Sequence, residues 1–108
     1  MEFLIENLTE NPMENLNEFE CEVLANLPVE PTGLSLAELA DGLLDDRSPS
    51  AKGKVRQALE NIAAALGGLY VYSGDDDFGG FFVKMYGLPR ASVPQIRAFL
   101  EEKSLVNV

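Results

Sequence analysis

The chain has 108 residues, a hydrophobic content of 46% and a net charge of −10. One domain of this length buries about two-thirds of the surface its unfolded chain exposes, and the composition excludes a disordered chain. No apolar run approaches the roughly 20 residues that span a bilayer, a single cysteine leaves no internal disulfide, and the start MEFLIENL lacks the basic residues and cleavage site of a signal peptide, so a cytoplasmic address without membrane contact is expected.

Residues 1–14 read as an N-terminal arm or short helix, with Phe3, Leu4, Ile5 and Leu8 clustered ahead of the breaking pair Asn11-Pro12. Leu16, Phe19, Val23 and Leu27 recur at spacings of three and four, which predicts an amphipathic helix from about residue 14 to Leu27, stopped by Pro28. Cys21 lies off that stripe, so it is expected at the surface and dispensable, and its neighbours Glu20 and Glu22 disfavour a thiolate. Pro31-Thr32-Gly33 is a turn.

The stretch LSLAELADGLL then carries a strong start signal. Ser35 and Glu38 form a capping box, and Leu34 and Leu39 stand where a hydrophobic staple belongs. Leu36, Leu39, Ala40, Leu43 and Leu44 make the buried stripe of a second helix. After the polar turn DDRSPS comes a third, capped by Ser48 with Pro49 in its first position, or by Ser50. Val55, Ala58, Leu59, Ile62 and Leu66 face the core, and Gly67-Gly68 ends the helix in the left-handed region. Gly53, Gln57, Glu60, Asn61 and Ala64 point outward.

Two β-prone runs, about Leu69 to Ser73 and Phe81 to Gly87, flank a turn holding Asp75, Asp76 and Asp77, which predicts a β-hairpin. A last helix starts near Ser92 or Val93, has Pro94 in its first turn and buries Val93, Ile96, Leu100 and Phe99, fraying by Ser104. The fold class is therefore mainly α with a β-hairpin (α+β).

Charge is unevenly distributed. Residues 1–46 carry twelve acidic groups and no Lys or Arg, whereas residues 47–108 carry eight basic and six acidic groups. Arg47, Lys52, Lys54 and Arg56 fall within ten residues, a basic patch on an acidic body. Enzymatic chemistry is poorly supplied: with no histidine there is no imidazole base, no Ser-His triad and no histidine metal ligand. Three adjacent aspartates lack the alternate spacing and distant bidentate Glu of a calcium loop. No catalysis, cofactor or metal is expected.

The order helix, turn, capped helix, polar turn, helix, hairpin and closing helix resembles the winged helix-turn-helix superfamily. GLSLAELADGL resembles the second helix of such domains, and KVRQALENIAAALGGLYVY resembles their recognition helix running into the first strand of the wing. The resemblance covers residues 15–90 and implies a three-helix core plus wing, with residues 91–108 as a C-terminal helix and possible dimerisation element. It implies a DNA-binding transcription regulator of the small bacterial kind that reads duplex DNA with the helix at about 49–66.

On that helix Ser50, Lys52, Gly53, Lys54, Arg56, Gln57 and Asn61 are the expected DNA contacts. The helix N-terminus and the basic groups suit phosphate, the amides suit base edges, and Gly53 permits close approach. The apolar segments Phe3 to Leu8 and Val93 to Leu100 exceed what such a core needs and suggest a homodimer. Asp45 and Asp46 in the polar turn, Glu60 on the reading face and the triple aspartate at the wing tip depart from the pattern. They leave open an alternative in which an acidic winged helix binds a basic protein partner and no DNA. The aspartates themselves are expected to keep an exposed sheet edge soluble.

Overall fold

The computed structural model describes residues 12–103. Helix α1 spans Glu18–Asn26, α2 Leu36–Leu44 and α3 Pro49–Leu66; strands β1 (Tyr70–Gly74) and β2 (Val83–Gly87) follow, and α4 spans Val93–Glu102. The expected mixed α+β composition is present.

Each of the first three helices begins where a side chain satisfies the free N–H groups of its first turn. The Ser35–Glu38 capping box opens α2. Ser48 Oγ accepts from Ala51 N with Pro49 in the first position of α3. At α1 the helix starts later than the apolar spacing predicts: the chain first makes a 3₁₀ turn over Pro12–Asn15 that buries Met13 completely. Asn17 and Glu20 then form a second capping box, and the helix starts at Glu18. The expected cluster at Phe3 to Leu8 lies outside the described residues, as does Ser104.

The three helices pack around Val23, Leu24, Leu39, Val55, Leu59 and Ile62, with α3 as the central element. Helix α4 closes this core with Ile96, Phe99 and Leu100, all buried, while Val93 is half-buried. That corrects the premise of the dimer expectation at the C-terminal end. The apolar face of α4 is used inside its own chain.

Strands β1 and β2 pair antiparallel, with Tyr70 opposite Gly87 and Gly74 opposite Val83. The α1–α2 linker runs along the other edge of β2. Leu34 exchanges both backbone hydrogen bonds with Tyr86, at 2.9 and 2.8 Å, and Leu88 N donates to the Pro28 carbonyl at 2.7 Å. The linker thus makes two isolated bridges, Leu34 to Tyr86 and Val29 to Leu88, that tie the hairpin base to the helical core. Glycine makes this approach possible: a Cβ on Gly87 would collide with the carbonyl oxygen of Thr32.

Cys21 also corrects its expectation, being buried at 5% exposure. Helix α1 is covered on more than the face its main stripe defines, and the C-terminal end of α4 brings Lys103 close enough to act on the thiol. Burial pushes the Cys21 thiol up, and the carboxylates of Glu20, Glu14 and Glu18 add to the effect.

Candidate nucleic-acid interface

The hairpin tip does not float free. Ser35, at the start of α2, accepts from Glu38 N at 3.1 Å and donates its hydroxyl to Asp76 Oδ2 at 2.8 Å. Glu38 Oε1 accepts from Ser35 N, and its Oε2 accepts from Asp77 N at 3.0 Å. One capping box therefore serves a helix and a loop at once. Asp76 Oδ1 also accepts from Phe78 N and Gly80 N at 3.0 and 2.8 Å, folding the tip around the carboxylate. The Gly80 amide and the Ser35 hydroxyl, with smaller help from Phe78 and Lys52, hold the Asp76 carboxyl below its ordinary range.

The expectation that all three aspartates serve solubility is corrected for Asp76. It is the anchor of the tip. On the other side the Arg47 guanidinium lies 4.0 Å over the Phe78 ring, pinning the tip to the α2–α3 turn. The acids of that turn have structural uses as well: Asp45 takes the left-handed conformation at the end of α2, with φ 52°, and Asp46 accepts from both Ser48 N and Ser48 Oγ.

With the tip held there, the hairpin and α3 enclose a groove of about 850 Å³. Its floor is apolar, from Leu59, Ala63, Leu69, Val71 and Tyr86, and its rim carries Lys52, Arg56 and Lys84. Lys52, Arg56 and Glu60 follow one another at the four-residue spacing that aligns side chains along a helix. Lys84 lies across from them on β2. It is absent from the contacts expected of the sequence, although its place beside buried Met85 in an alternating strand marks it as outward-facing.

The other expected contacts lie on different edges of α3. Ser50, Lys54, Gln57 and Asn61 are exposed on the side toward α1. Lys54 Nζ is 5.9 Å from the centre of the Phe19 ring. Gln57 Nε2 donates to Asn61 Oδ1 at 3.5 Å, and Asn61 Nδ2 donates to Glu20 Oε2. Asn61 is therefore committed to α1. Gly53 lies between the two edges, with nothing within 4 Å of where its side chain would start.

The basic groups differ in how they are satisfied. Arg47 pairs with Asp41 at 3.9 Å, Lys103 with Glu14 at 3.3 Å, and Arg90 donates to the Glu30 carbonyl. Among the described residues, Lys52, Lys54, Arg56 and Lys84 form no ion pair, and neither do Arg90 and Arg97. In a chain with 18 acidic residues, four of these six cations thus lie on α3 and the strand beside it. Among the described residues no group of carboxylates, cysteine or histidine is arranged to hold a metal ion, and no helix is long and apolar enough to cross a membrane.

No protein-family model matches the chain, and no curated protein or solved structure matches it either.

Proposed function

We propose that this chain is a winged helix-turn-helix domain that binds duplex DNA through the first three turns of α3, with Lys84 of the hairpin supporting it. The observation that carries the reading is the set of unpaired cations on an acidic chain. Lys52, Lys54, Arg56 and Lys84 form no salt bridge among the described residues although carboxylates are abundant, and Lys52 acts on Asp76 only weakly, which suits an external polyanion. The capped N-terminus of α3 adds free N–H groups and a positive dipole end beside Ser50 and Lys52.

The order of elements supports the fold part of the reading. Two bridging residues, Val29 and Leu34, lie between α1 and α2 and pair with Leu88 and with Tyr86 of β2, while α3 runs directly into the hairpin. Base reading falls to Ser50 and Gln57, with Gly53 permitting close approach, since Asn61 is engaged by Glu20. Glu60 lies one turn farther along α3 and bounds the interface at that end.

Fluorescence anisotropy on one labelled duplex at several salt concentrations tests this. The parent should bind, and replacing Lys54 and Arg56 with alanine should flatten the slope of log affinity against log salt by about 0.9 for each phosphate that is no longer neutralised. An unchanged slope in that variant rules out this use of α3.

A second reading has its own support. Among the described residues the exposed large apolar side chains, Val71, Phe78, Phe81 and Phe82, all belong to the hairpin, and Phe81 and Phe82 are 73% and 84% exposed. Such a cluster suits a protein surface more than a duplex, and the adjoining Asp75 and Asp77 suit a basic one.

A further inference from the structure

We propose that the hairpin tip of one copy docks into the groove between α3 and the hairpin of a second copy, forming a two-fold dimer in which each tip fills the other's groove. The proposal rests on the complementarity of two surfaces of the same chain; its groove uses Lys52, Arg56 and Lys84, which the DNA reading also uses, so a docked tip and a duplex would compete for them.

The tip has the form of a rigid plug. Asp76 gathers the Ser35 hydroxyl and the Phe78 and Gly80 amides, and Glu38 holds Asp77 N, so residues 75–80 are fixed against α2. Beyond them Phe82 has φ 55°, a left-handed conformation that is strained for a bulky residue. Phe82 N also donates to Asp75 Oδ1 in a long contact of 3.4 Å at the surface. The strained backbone presents Phe81 and Phe82 to solvent instead of folding them onto the chain. Asp75 and Asp77 stand beside them.

The groove is the counterpart. It offers an apolar floor for rings, and Lys52, Arg56 and Lys84 for carboxylates, three cations against the two lining carboxylates Glu60 and Asp76, of which Asp76 is taken up by the tip's own hydrogen bonds. Its lining includes Asp76 and Val83 at the root of the tip, so plug and socket adjoin on one face of the molecule. Two such faces brought together about a two-fold axis place each tip over the other's groove, the self-complementary arrangement that closes at two copies. Two phenylalanines from each tip would bury roughly 600–1,000 Å² among them, at about 150–250 Å² per ring. That is the apolar centre of an interface of ordinary size, about 1,600 Å².

Sedimentation velocity on the full chain between about 1 and 100 µM tests the arrangement, with thermal melts confirming that each variant folds. The parent should dimerise. Phe81→Ser with Phe82→Ser should weaken the dimer at least about tenfold, as loss of central aromatic anchors does. Two charge-reversed variants extend the test. Asp75→Lys with Asp77→Lys places a basic tip before a basic groove, and Lys52→Glu with Lys84→Glu places an acidic tip before an acidic groove. Each alone should be monomeric, and an equimolar mixture should dimerise, because every tip then meets a groove of opposite charge. A monomeric parent at about 100 µM, or a dimer indifferent to both phenylalanines, overturns the proposal. Self-association without DNA binding leaves it standing and defeats the reading of the previous subsection; DNA binding by a strict monomer does the reverse.

Discussion

Ser35 and Asp76 lie 41 positions apart in the chain, and the hydroxyl of one donates to the carboxylate of the other at 2.8 Å. Ser35 is 2% exposed and already caps α2, so this hydrogen bond ties the start of a helix to the end of a hairpin. It determines where the tip sits, and thereby closes one end of the groove beside α3.

Asp76→Ala should therefore destabilise the fold and loosen the tip, at a cost of order 1–2 kcal/mol for charge-assisted hydrogen bonds that are partly open to water. Asp75→Asn with Asp77→Asn should change stability by less than about 0.5 kcal/mol. Urea unfolding compares the two variants, and amide exchange at Phe78 and Gly80 reports on the tip directly. Equal effects would remove the distinction drawn between the three aspartates. The Asp75, Asp77 pair, without Asp76, is also the clean variant for DNA work: affinity for the duplex should rise or hold constant.

The same carboxylate gives a pH dependence. The Asp76 carboxyl is held below its unfolded value, so its contribution to stability is complete above the ordinary aspartate range. It is lost as pH falls through the lower folded value. The parent should lose more stability than Asp76→Ala between about pH 5 and pH 2, measured by urea midpoints at each pH. Parallel curves would place the lowered titration elsewhere.

Gly87 offers a test of the hairpin base. A methyl group there would strike the carbonyl of Thr32 and lie 3.2 Å from that of Pro28, both backbone atoms of the linker paired with β2. Gly87→Ala should cost about 1–3 kcal/mol through displacement of that linker, seen as a lower urea midpoint with an unchanged slope. A neutral result would mean that the linker is free to move away.

What can be read from the sequence divides along a physical line. The Ser35–Glu38 capping box, Ser48 with Pro49, the α3 core stripe and the Gly67 stop are local, since each is complete within a few residues. The hairpin strands are legible from their β-prone residues, but the same signal extends the second strand over Phe81 and Phe82, which belong to the tip. The sequence misleads where distant elements meet. Nothing near Asp76 shows that Ser35 will be its partner, and nothing near Asn61 shows that Glu20 will engage it. Cys21 reads as superficial because one stripe of α1 accounts for one neighbour, whereas the helix is also covered where α4 ends.

Cys21→Ser should accordingly cost about 1–3 kcal/mol, because a hydroxyl replaces a small apolar group at a buried position. The native thiol should react slowly with a disulfide reagent at neutral pH, both from burial and from its raised pKa, and at full rate once the chain unfolds. A rapid native reaction would show that Cys21 opens to solvent far more often than global unfolding allows.

Gly53 separates stability from binding. A glycine inside a helix costs roughly 0.5–1 kcal/mol relative to alanine, and the space around Gly53 would accept a methyl group without a clash. Gly53→Ala should therefore raise stability by about that amount. Gly42, inside α2 and equally open, should do the same when replaced by alanine and serves as the control. The two variants should diverge on the duplex. If α3 approaches DNA closely at Gly53, the added methyl group lies between helix and bases, and Gly53→Ala should bind more weakly. The salt dependence of binding should be unchanged, since every cation that neutralises a phosphate is still in place. Gly42→Ala should bind as the parent does. Stronger or equal binding by Gly53→Ala would remove this glycine from the interface and leave its presence in α3 without a structural reason.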